Sequence, residues 1–542
     1  MASHGPFING SSSTQSLGLD AHRFFNEMTF GLVGIFILII GAGVLLPKSV
    51  RLPDVEFLRI SNKPGGKAGD ADDIQAFLSD SLSAIMKGYN EYSKKGKHFL
   101  LRTPKQVYLI AATNFLDEIR KAPETHLSQP AAAEIIFQTR HTFHPTLVHD
   151  TYHFNVVKTK VTSALAYNIP DLVHESRYAF SVELGGKSHD WKALRMYPLA
   201  TKIITRISNR MLVGPQLCRN DEFLHYSGDY TRTTFNTATV LRNYPEFVKS
   251  SLMYFMSDCN KQQQTARKFL VPMIKERLEI MAKSKNSKDT CEKPEDALQW
   301  LLDITPEEKR DPEILTQRMI QINVTAIHAP AVTLVECVFD LSRHPEIQEE
   351  LRAEMAAVLG DKPVGTQVWK KASIDNLVKL DSFIRESARL TPMSAVKLER
   401  LAVKDYQLSD GTLIPRGTSV GVIAHGRHID EDFLENATQF DAFRYARMRS
   451  SPETAMQYTF SQTSPDNLLF GFGRHACPGR HFASALIKIC LVQILVQHDI
   501  RFVDGKPDPC GQWTQKFRNP DVEASVCFKL RETESRFRSM FD

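Results

Sequence analysis

One cysteine of the 542-residue chain lies in a setting that suits metal ligation. It is Cys477, in the run Phe470-Gly-Phe-Gly-Arg-His-Ala-Cys-Pro-Gly479, where glycines precede and follow it. Apolar residues at helical spacing come next, so the sequence predicts a helix that begins near Pro478. Backbone N–H groups and the positive end of that helix would stabilise a thiolate. Gly473 and Gly479 have no Cβ, which lets the backbone approach a flat cofactor closely.

A thiolate presented in this way is suited to be the axial ligand of haem iron. The run resembles the haem-binding loop of the cytochrome P450 monooxygenases, to which Phe470, Gly473, Cys477 and Gly479 correspond residue by residue. The resemblance implies haem b as the cofactor and Cys477 as the ligand of its iron. His475 departs from the family, which usually has an arginine there for a haem propionate, and a histidine is only partly protonated at neutral pH. The alternative is a buried structural cysteine in a glycine-rich turn.

Two charged residues three positions apart form a second motif. Glu386 and Arg389 lie on one face of a helix that the apolar spacing predicts over 376–390. On its own such a pair is usually solvated and contributes little. The run Phe440-Asp-Ala-Phe-Arg444, however, resembles the P450 segment whose arginine joins this glutamate and arginine in a buried ion-pair network. The resemblance implies that Glu386, Arg389 and Arg444 hold the cysteine loop against the core.

Residues 315–342 align in order with the central helix that crosses the haem in P450 enzymes. The family pattern there has an acid followed by a threonine that steers protons to dioxygen, whereas this chain has His328 and Ala329. The side-chain alcohol is therefore missing. Pro330 removes a backbone donor, so we expect it to kink the helix and to open a carbonyl to which water could bind.

Protons are expected to reach the oxygen through ordered water or a substrate hydroxyl, with His328 as a relay. Thr325 and Thr333, one turn on either side of Ala329, are weaker substitutes for the missing alcohol. The alternative for His328 is a satisfied polar residue in a helix. The open side of the haem is expected to be lined by apolar or small residues, which suit a bulky lipophilic substrate: Ile327, Ala329, Ala395, Val396 and the segment near Phe517.

The chain has no glycine-rich nucleotide fingerprint in a strand-turn-helix context, so electrons are expected from a separate NADPH–cytochrome P450 reductase. A basic face could receive that partner. Its candidate residues surround the cysteine loop in sequence and are Arg444, Arg447, Arg449, Arg474 and Arg480. Lys158 and Lys160 are candidate partners of the haem propionates.

The pattern as a whole resembles membrane-anchored fungal P450 enzymes of secondary metabolism. It implies a reaction in which O2 and two electrons oxidise a small lipophilic terpenoid, indole alkaloid or polyketide. Two alternative functions would use the same haem. One is a thiolate-haem isomerase or dehydratase that needs no reductase, and the other is a non-catalytic haem sensor or carrier.

Composition limits the partners and the architecture. A net charge of +5 and a pI near 8.6 are mild, and no concentrated basic patch points to a nucleic acid. Eight cysteines without a Cys-x-x-Cys pair argue against a disulfide framework or a zinc site. Helical periodicity dominates, with short strand-like runs near 400–424. The predicted fold is mainly α with small β-sheets, the cytochrome P450 fold, preceded by a single N-terminal transmembrane helix.

An uncharged apolar segment, residues 29–46, is just long enough to cross a bilayer. Lys and Arg are more frequent after it than before it, so the positive-inside rule places the large domain in the cytosol. We therefore predict an endoplasmic reticulum protein made of a lumenal tail (1–28), an anchor (29–46), a linker and neck (47–84) and a haem-thiolate domain (85–542).

Three polar stretches are expected to be exposed. Residues 61–73 are rich in Gly, Asp and Lys and are predicted to be a flexible part of the neck, and 283–296 and 450–467 are predicted surface loops. Asn9 begins a glycosylation sequon on the predicted lumenal side.

Overall fold

The computed structural model describes residues 51–61, 66–185, 189–285, 293–360, 368–532 and 537. The predicted tail and anchor lie outside these residues. Among the described residues, two helices are long and apolar enough to cross a bilayer, Pro312–Arg343 and Arg480–Gln497. However, 72% and 78% of their most apolar stretches are buried in the protein, as expected of core helices.

Helices make up most of the described chain, and small sheets lie beside them, which confirms the predicted fold class. The helices are α1 (Lys67–Ser79), α2 (Ser81–Glu91), α3 (Leu116–Lys121), α4 (Gln129–Phe137), α5 (Thr139–Thr142), α6 (His153–Val156), α7 (Thr162–Leu184), α8 (Met196–Leu212), α9 (Asp221–Leu241), α10 (Glu246–Phe255), α11 (Ser257–Lys285), α12 (Ala297–Ile304), α13 (Pro312–Arg343), α14 (Pro345–Leu359), α15 (Lys371–Asp375), α16 (Val378–Leu390), α17 (Ala424–His428), α18 (Arg444–Met448) and α19 (Arg480–Gln497).

The long helix α13 forms the centre of the core. Asp311 caps its first turn by accepting hydrogen bonds from the N–H groups of Glu313 (2.8 Å) and Ile314 (3.4 Å), and Pro312 occupies the first helical position. The helix packs against α8, α9, α11, α16 and α19, and most of its apolar side chains are buried. It is therefore fixed on several sides and can present one face to a ligand.

The strands form four small sheets. They are β1 (Phe99–Arg102), β2 (Val107–Ala111), β3 (Leu127–Ser128), β4 (Lys192–Arg195), β5 (Val396–Ala402), β6 (Tyr406–Gln407), β7 (Leu413–Ile414), β8 (Ser419–Ile423), β9 (His498–Phe502), β10 (Gln512–Thr514), β11 (Phe517–Asn519) and β12 (Ser525–Leu530).

The largest sheet has the order β1-β2-β8-β5-β3, and only its β2–β8 pair is parallel. A second sheet has the order β4-β12-β9, and β6–β7 and β10–β11 are two-stranded hairpins. The register of β5 against β8 shifts between Lys397 and Arg400, where Leu398 adopts a positive φ of 55°. Such a bulge changes the direction of the side chains around it.

The folded domain begins upstream of the predicted boundary at residue 85. Phe57 forms a parallel bridge with Leu100, and Leu58 is buried. The carboxylate of Asp73, in α1, accepts hydrogen bonds from the backbone of Ile60 (3.0 Å) and Ser61 (2.8 Å). The prediction of a flexible neck over 61–73 is therefore wrong where the chain is described. Asp73 accepts backbone N–H groups and so holds this segment to the domain.

The prediction of a surface loop over 450–467 is also wrong in part. Phe460 and Asn467 are only 2% and 3% exposed, although the residues around them are polar. Of the other predicted loop, 283–296, the structure describes the end of α11 and residues 293–296, and Asp296 is buried.

Candidate active site

The cysteine loop closes on itself through its backbone. The N–H of Cys477 donates to the carbonyl oxygen of Phe470 (2.8 Å), and α19 begins at Arg480, two residues later than predicted. Gly473 has a φ of 81°, and a Cβ at that position would lie 2.6 Å from Cγ and Cδ of Arg120. A side chain there would therefore be strained by its backbone and would collide with a neighbour.

The surroundings of the Cys477 thiol act in opposite directions on its charge. Burial raises the pKa of the thiol, whereas the N–H groups of Gly479 and Arg480 and the positive charges of Lys397 and Arg480 lower it. The Arg480 guanidinium also donates to the Cys477 carbonyl oxygen (3.0 Å). The predicted N–H and charge effects are present, but burial outweighs them, so a metal ion would be needed to hold the thiolate.

His475 is paired in the protein. Its Nε2 is hydrogen-bonded to the carboxylate of Glu124, and Arg474 lies 3.5 Å from the same carboxylate. Burial raises the pKa of Glu124, but His475, the N–H of Gln129 and the charge of Arg400 together hold the pKa below its usual value. His475 and Glu124 thus form a hydrogen-bonded anchor between the cysteine loop and the segment that follows α3.

A second cation near this anchor has hydrogen-bonding atoms without a partner. Arg400 is 2% exposed, and its Nη1 donates to the Glu399 carbonyl oxygen (2.8 Å), but its Nε and Nη2 are buried and unpartnered. Burial lowers the pKa of Arg400 to about 10, while the charge of Glu124 opposes this effect. A buried guanidinium of this kind requires an anion.

The donor set fits a haem. A thiolate is a suitable axial ligand, and the free donors of Arg400 can hold a carboxylate of the size of a propionate. The role of His475 toward a propionate stays a prediction, because its Nε2 binds Glu124. Lys397 adds positive charge close to Cys477, and burial lowers the pKa of its amine. By contrast, the predicted propionate partners Lys158 and Lys160 are exposed.

Glu386, Arg389 and Arg444 are in contact, and each is buried. Arg389 binds the Glu386 carboxylate through two nitrogens (2.7 and 2.9 Å), and Nε of Arg444 lies 3.2 Å from the same carboxylate. The two guanidinium groups also donate to backbone carbonyl oxygens of the segment that precedes α18, namely those of Glu435, Asn436, Ala437 and Gln439. The three side chains thus fix one carboxylate and one irregular segment together.

One face of α13 is partly accessible to solvent. Thr325 is exposed although its neighbours Val324 and Ile327 are buried, and Ala329 and Thr333 follow it at four-residue intervals. The hydroxyl groups of both threonines are engaged with the helix backbone. Thr325 donates to carbonyl oxygens of the preceding turn (2.9 and 3.1 Å), and Thr333 donates to that of Ala329 (3.0 Å).

Helix α13 continues through Pro330 without interruption. The backbone donor that Pro330 lacks would have bonded to the carbonyl oxygen of Ala326, and the Ser208 hydroxyl of α8 lies 3.5 Å from that oxygen. The freed carbonyl is thus turned toward a neighbouring helix. The expected water site at this carbonyl stays a prediction, because a carbonyl oxygen can accept a second hydrogen bond.

His328 points between helices. The Tyr197 hydroxyl of α8 lies 3.2 Å from its Nδ1, and the ring of Phe235 from α9 lies 6.0 Å from its ring. Burial lowers the pKa of His328 to about 4, so the ring is neutral at pH 7. The relay role of His328 stays a prediction. In such a relay, the Tyr197 hydroxyl would be the group hydrogen-bonded to His328.

The predicted pocket wall is correct only in part. Ile327 lies on the face of α13 opposite Ala329 and is packed in the core, so its assignment to the wall is wrong. Ala395 and Val396 are buried at the start of β5, and Phe517 pairs with Ser394 in an isolated bridge. The β10–β11 hairpin is thereby fixed beside the residues that follow α16.

Comparison with known proteins identifies the family. The family model for cytochrome P450 matches residues 112–528, which is more than half of the chain. The chain belongs to the cytochrome P450 family. It is 31% identical over 459 residues to cytochrome P450 monooxygenase 151 of Postia placenta, covering 84% of this chain and 90% of that protein. It is 30% identical to cytochrome P450 monooxygenase olcJ of Penicillium canescens, with 94% of each chain covered.

A third relative is cytochrome P450 monooxygenase BOA4 of Botryotinia fuckeliana, 31% identical over 85% of this chain and 90% of that protein. Among solved structures, a cyanobacterial P450 with bound retinoic acid, CYP120A1, superposes with a TM-score of 0.61 at 16% identity. The superposition covers 89% of this chain and all of the other, and it supports the fold alone. The similarity to these monooxygenases shows that this P450 is an oxidoreductase of the monooxygenase type.

Two of the five arginines predicted to form a docking face on this P450 are buried in ion pairs. Arg444 binds Glu386, and Arg449 lies 3.0 Å from the Asp381 carboxylate. Arg447 and Arg474 are exposed, and Arg480 is half-buried. The docking prediction is therefore wrong for the first two, because sequence proximity to the loop does not determine which way a side chain points.

Sequence reasoning missed Glu124 and Arg400. Glu124 lies about 350 positions before its partner His475, and nothing local marks it. A signal did exist for Arg400, since the strand Val-Lys-Leu-Glu-Arg-Leu-Ala alternates in burial and would place an arginine on a buried position.

Proposed function

We propose that this P450 is a haem-b monooxygenase that uses O2 and reductase-supplied electrons to oxidise a lipophilic secondary metabolite of the terpenoid, indole alkaloid or polyketide type. The observation that carries the proposal is the cysteine loop with two anchors beside it, the His475–Glu124 pair and the unpartnered donors of Arg400. The loop presents a sulfur ligand, the His475–Glu124 pair holds the loop in place, and the positive charge of Arg400 complements the negative charge of a haem propionate.

When bound, the haem would supply the chemistry that splits O2, consuming two electrons and two protons to place one oxygen atom in a C–H bond and release the other as water. Cys477 would bind the iron through its sulfur. Glu386, Arg389 and Arg444 would keep the loop in place, and Phe470, Gly473 and Gly479 would shape it for close approach. His475 and Arg400 would orient the cofactor edge.

A cleft beside α13 is proposed to hold the substrate. Ala329 has a small apolar side chain on the cleft face, and Val396 and Phe517 lie at the start of β5 and at the hairpin beside it. Small and apolar residues favour a bulky lipophilic molecule. Thr325 is exposed on this face of the helix. We propose that Thr325, His328 and Thr333 transfer protons to the oxygen.

The proposed partners are a membrane and an NADPH–cytochrome P450 reductase. Helix α10 exposes aromatic side chains, with Phe247, Tyr254 and Phe255 62%, 81% and 75% exposed, and a lipid surface would cover such a patch. Arg447, Arg474 and Arg480 supply positive charge around the loop for an acidic partner. The anchor at 29–46 would hold the chain in the endoplasmic reticulum.

Replacement of the proposed ligand tests the haem assignment. We expect Cys477→Ser to abolish the red-shifted Soret band that thiolate ligation gives to the reduced carbon monoxide complex, together with reductase-dependent consumption of NADPH. Cys510→Ser is the matched control, because Cys510 is an exposed free cysteine remote in sequence from the loop. Retention of the band and of turnover in Cys477→Ser would overturn the proposal. Substrate conversion without NADPH or reductase would favour an isomerase or dehydratase instead.

A further inference from the structure

A second buried ion-pair cluster lies on helix α16, one and a half turns before Glu386. Its centre is Asp381, which is 2% exposed. One carboxylate oxygen, Oδ1, lies 2.7 Å from Nζ of Lys488 in α19. The other, Oδ2, lies 3.0 Å from Nη1 of Arg449 and accepts the backbone N–H of Phe460 at 2.8 Å. The partner side chains are 4% and 8% exposed, so all three charges are withdrawn from water.

The three partners of Asp381 belong to segments that surround the cysteine. Lys488 lies on the helix that begins three residues after Cys477. Arg449 ends the turn after α18 and donates to the Ala455 carbonyl oxygen (2.7 Å), which holds the start of the 450–467 segment. A single carboxylate therefore joins the chain before the cysteine loop to the helix after it.

Phe460 continues this connection to the ligand. Its ring packs against that of Phe470 at a centroid distance of 5.0 Å with an angle of 64° between planes. The carbonyl oxygen of Phe470 accepts the N–H of Cys477. The route from Asp381 to the sulfur-bearing residue thus consists of one charge-assisted hydrogen bond, one ring contact and one backbone hydrogen bond.

We propose that Asp381 is a positioning residue for the axial thiolate, acting on Cys477 through Phe460 and Phe470 on one side and through Lys488 on the other. This network is separate from that of Glu386, whose arginines hold segment 435–439, whereas Asp381 holds segment 449–460 and α19. The inference rests on the proposed role of Cys477 as the ligand of haem iron.

Asp381→Asn removes the charge and keeps the shape of the side chain. Two buried cations then lack their counter-ion, and the amide binds the Phe460 N–H less strongly than a carboxylate. We expect the reduced carbon monoxide complex to lose its red-shifted thiolate Soret band about tenfold faster than wild type, which corresponds to a barrier lower by about 1.4 kcal/mol. The loss is measured at a temperature below the onset of unfolding seen by far-ultraviolet circular dichroism.

Asp340→Asn is the matched control. Asp340, in α13, is 7% exposed, accepts the hydroxyl of Ser387 on α16 (2.6 Å) and lies 2.7 Å from Nη1 of Arg343. It therefore contacts the helix that carries Asp381, but it does not contact Lys488, Arg449 or Phe460. Its substitution should lower stability without accelerating loss of the thiolate band.

Two further variants keep the test decisive. In Asp381→Asn/Lys488→Met one uncompensated cation is removed, and we expect the band to decay more slowly than in the single variant. Phe460→Leu leaves all charges in place and removes the ring contact with Phe470, so faster decay is expected even if Asp381→Asn does not fold. Decay in Asp381→Asn and Phe460→Leu equal to that of Asp340→Asn would overturn the inference. A wild-type protein without the thiolate band would instead refute the proposed function itself.

Discussion

At residue 329 the central helix has a methyl group where most P450 sequences have a hydroxyl. The neighbouring alcohols cannot replace it without giving up a bond, because Thr333 donates to the Ala329 carbonyl oxygen and Thr325 donates to the preceding turn. Ala329 lies on the same partly exposed face of α13 as these two threonines. A hydroxyl restored at this position would return the side chain that the family pattern uses for proton transfer.

We expect Ala329→Thr to lower the fraction of NADPH equivalents lost as hydrogen peroxide and to change the product ratio. Both are measured with purified reductase and the substrate. A threonine is β-branched, and its cost in a helix is only about 0.5 kcal/mol, so folding should persist. Ala326→Thr is the comparison, since Ala326 is also partly exposed and lies three residues earlier on α13, about 60° round the helix from Ala329. If peroxide loss and products are unchanged in Ala329→Thr, proton delivery does not depend on a hydroxyl at this site.

At the scale of elements, irregular segments are held by buried side chains. The triad fixes 435–439, and the carboxylate of Glu386 also accepts the N–H of Asp441 (3.0 Å). The sequence pointed to this triad because Glu386 and Arg389 lie within one turn and Arg444 lies in a recognisable run. It did not point to the folded state of 57–61 and 66–84 or to the burial of Phe460. These residues contact parts of the chain that are distant in sequence, and their composition is that of a loop.

Glu386→Gln leaves Arg389 and Arg444 without a counter-charge, and we expect a loss of about 3–5 kcal/mol in the free energy of unfolding. Haem content after purification should fall with it, because the segment before the loop is no longer fixed. Chemical denaturation and the absorbance ratio of haem to protein measure the two effects. Glu453→Gln, in the exposed part of the 450–467 segment, should change neither. Equal stability of the two variants would show that the triad contributes nothing to the fold.

The whole molecule buries several histidines in neutral form. Burial lowers the pKa of His153 to about 3 and those of His328, His425 and His498 to about 4. An unfolded chain binds protons on these rings near pH 6.5, before the folded chain does. Their contribution to stability is therefore complete above about pH 6.5 and is lost as the pH falls toward 4.

Each such histidine should lower the free energy of unfolding by about 2 kcal/mol at pH 5 relative to pH 8. Urea midpoints measured between pH 8 and 5 test this. We expect His498→Leu to reduce the pH dependence of stability by the contribution of one histidine. His149→Gln should leave it unchanged, because His149 is exposed. Parallel curves for wild type and His498→Leu would refute a neutral buried ring at 498.

Arg400 has a consequence for production of the enzyme. Its buried guanidinium has two donor nitrogens without a partner, and a porphyrin carboxylate would supply the missing partner. Binding to the native state alone stabilises it by mass action. A cell that synthesises this chain faster than it makes porphyrin would therefore accumulate an electrostatically unbalanced form. Yield in a heterologous host should accordingly follow the supply of porphyrin precursors more closely than the strength of the promoter.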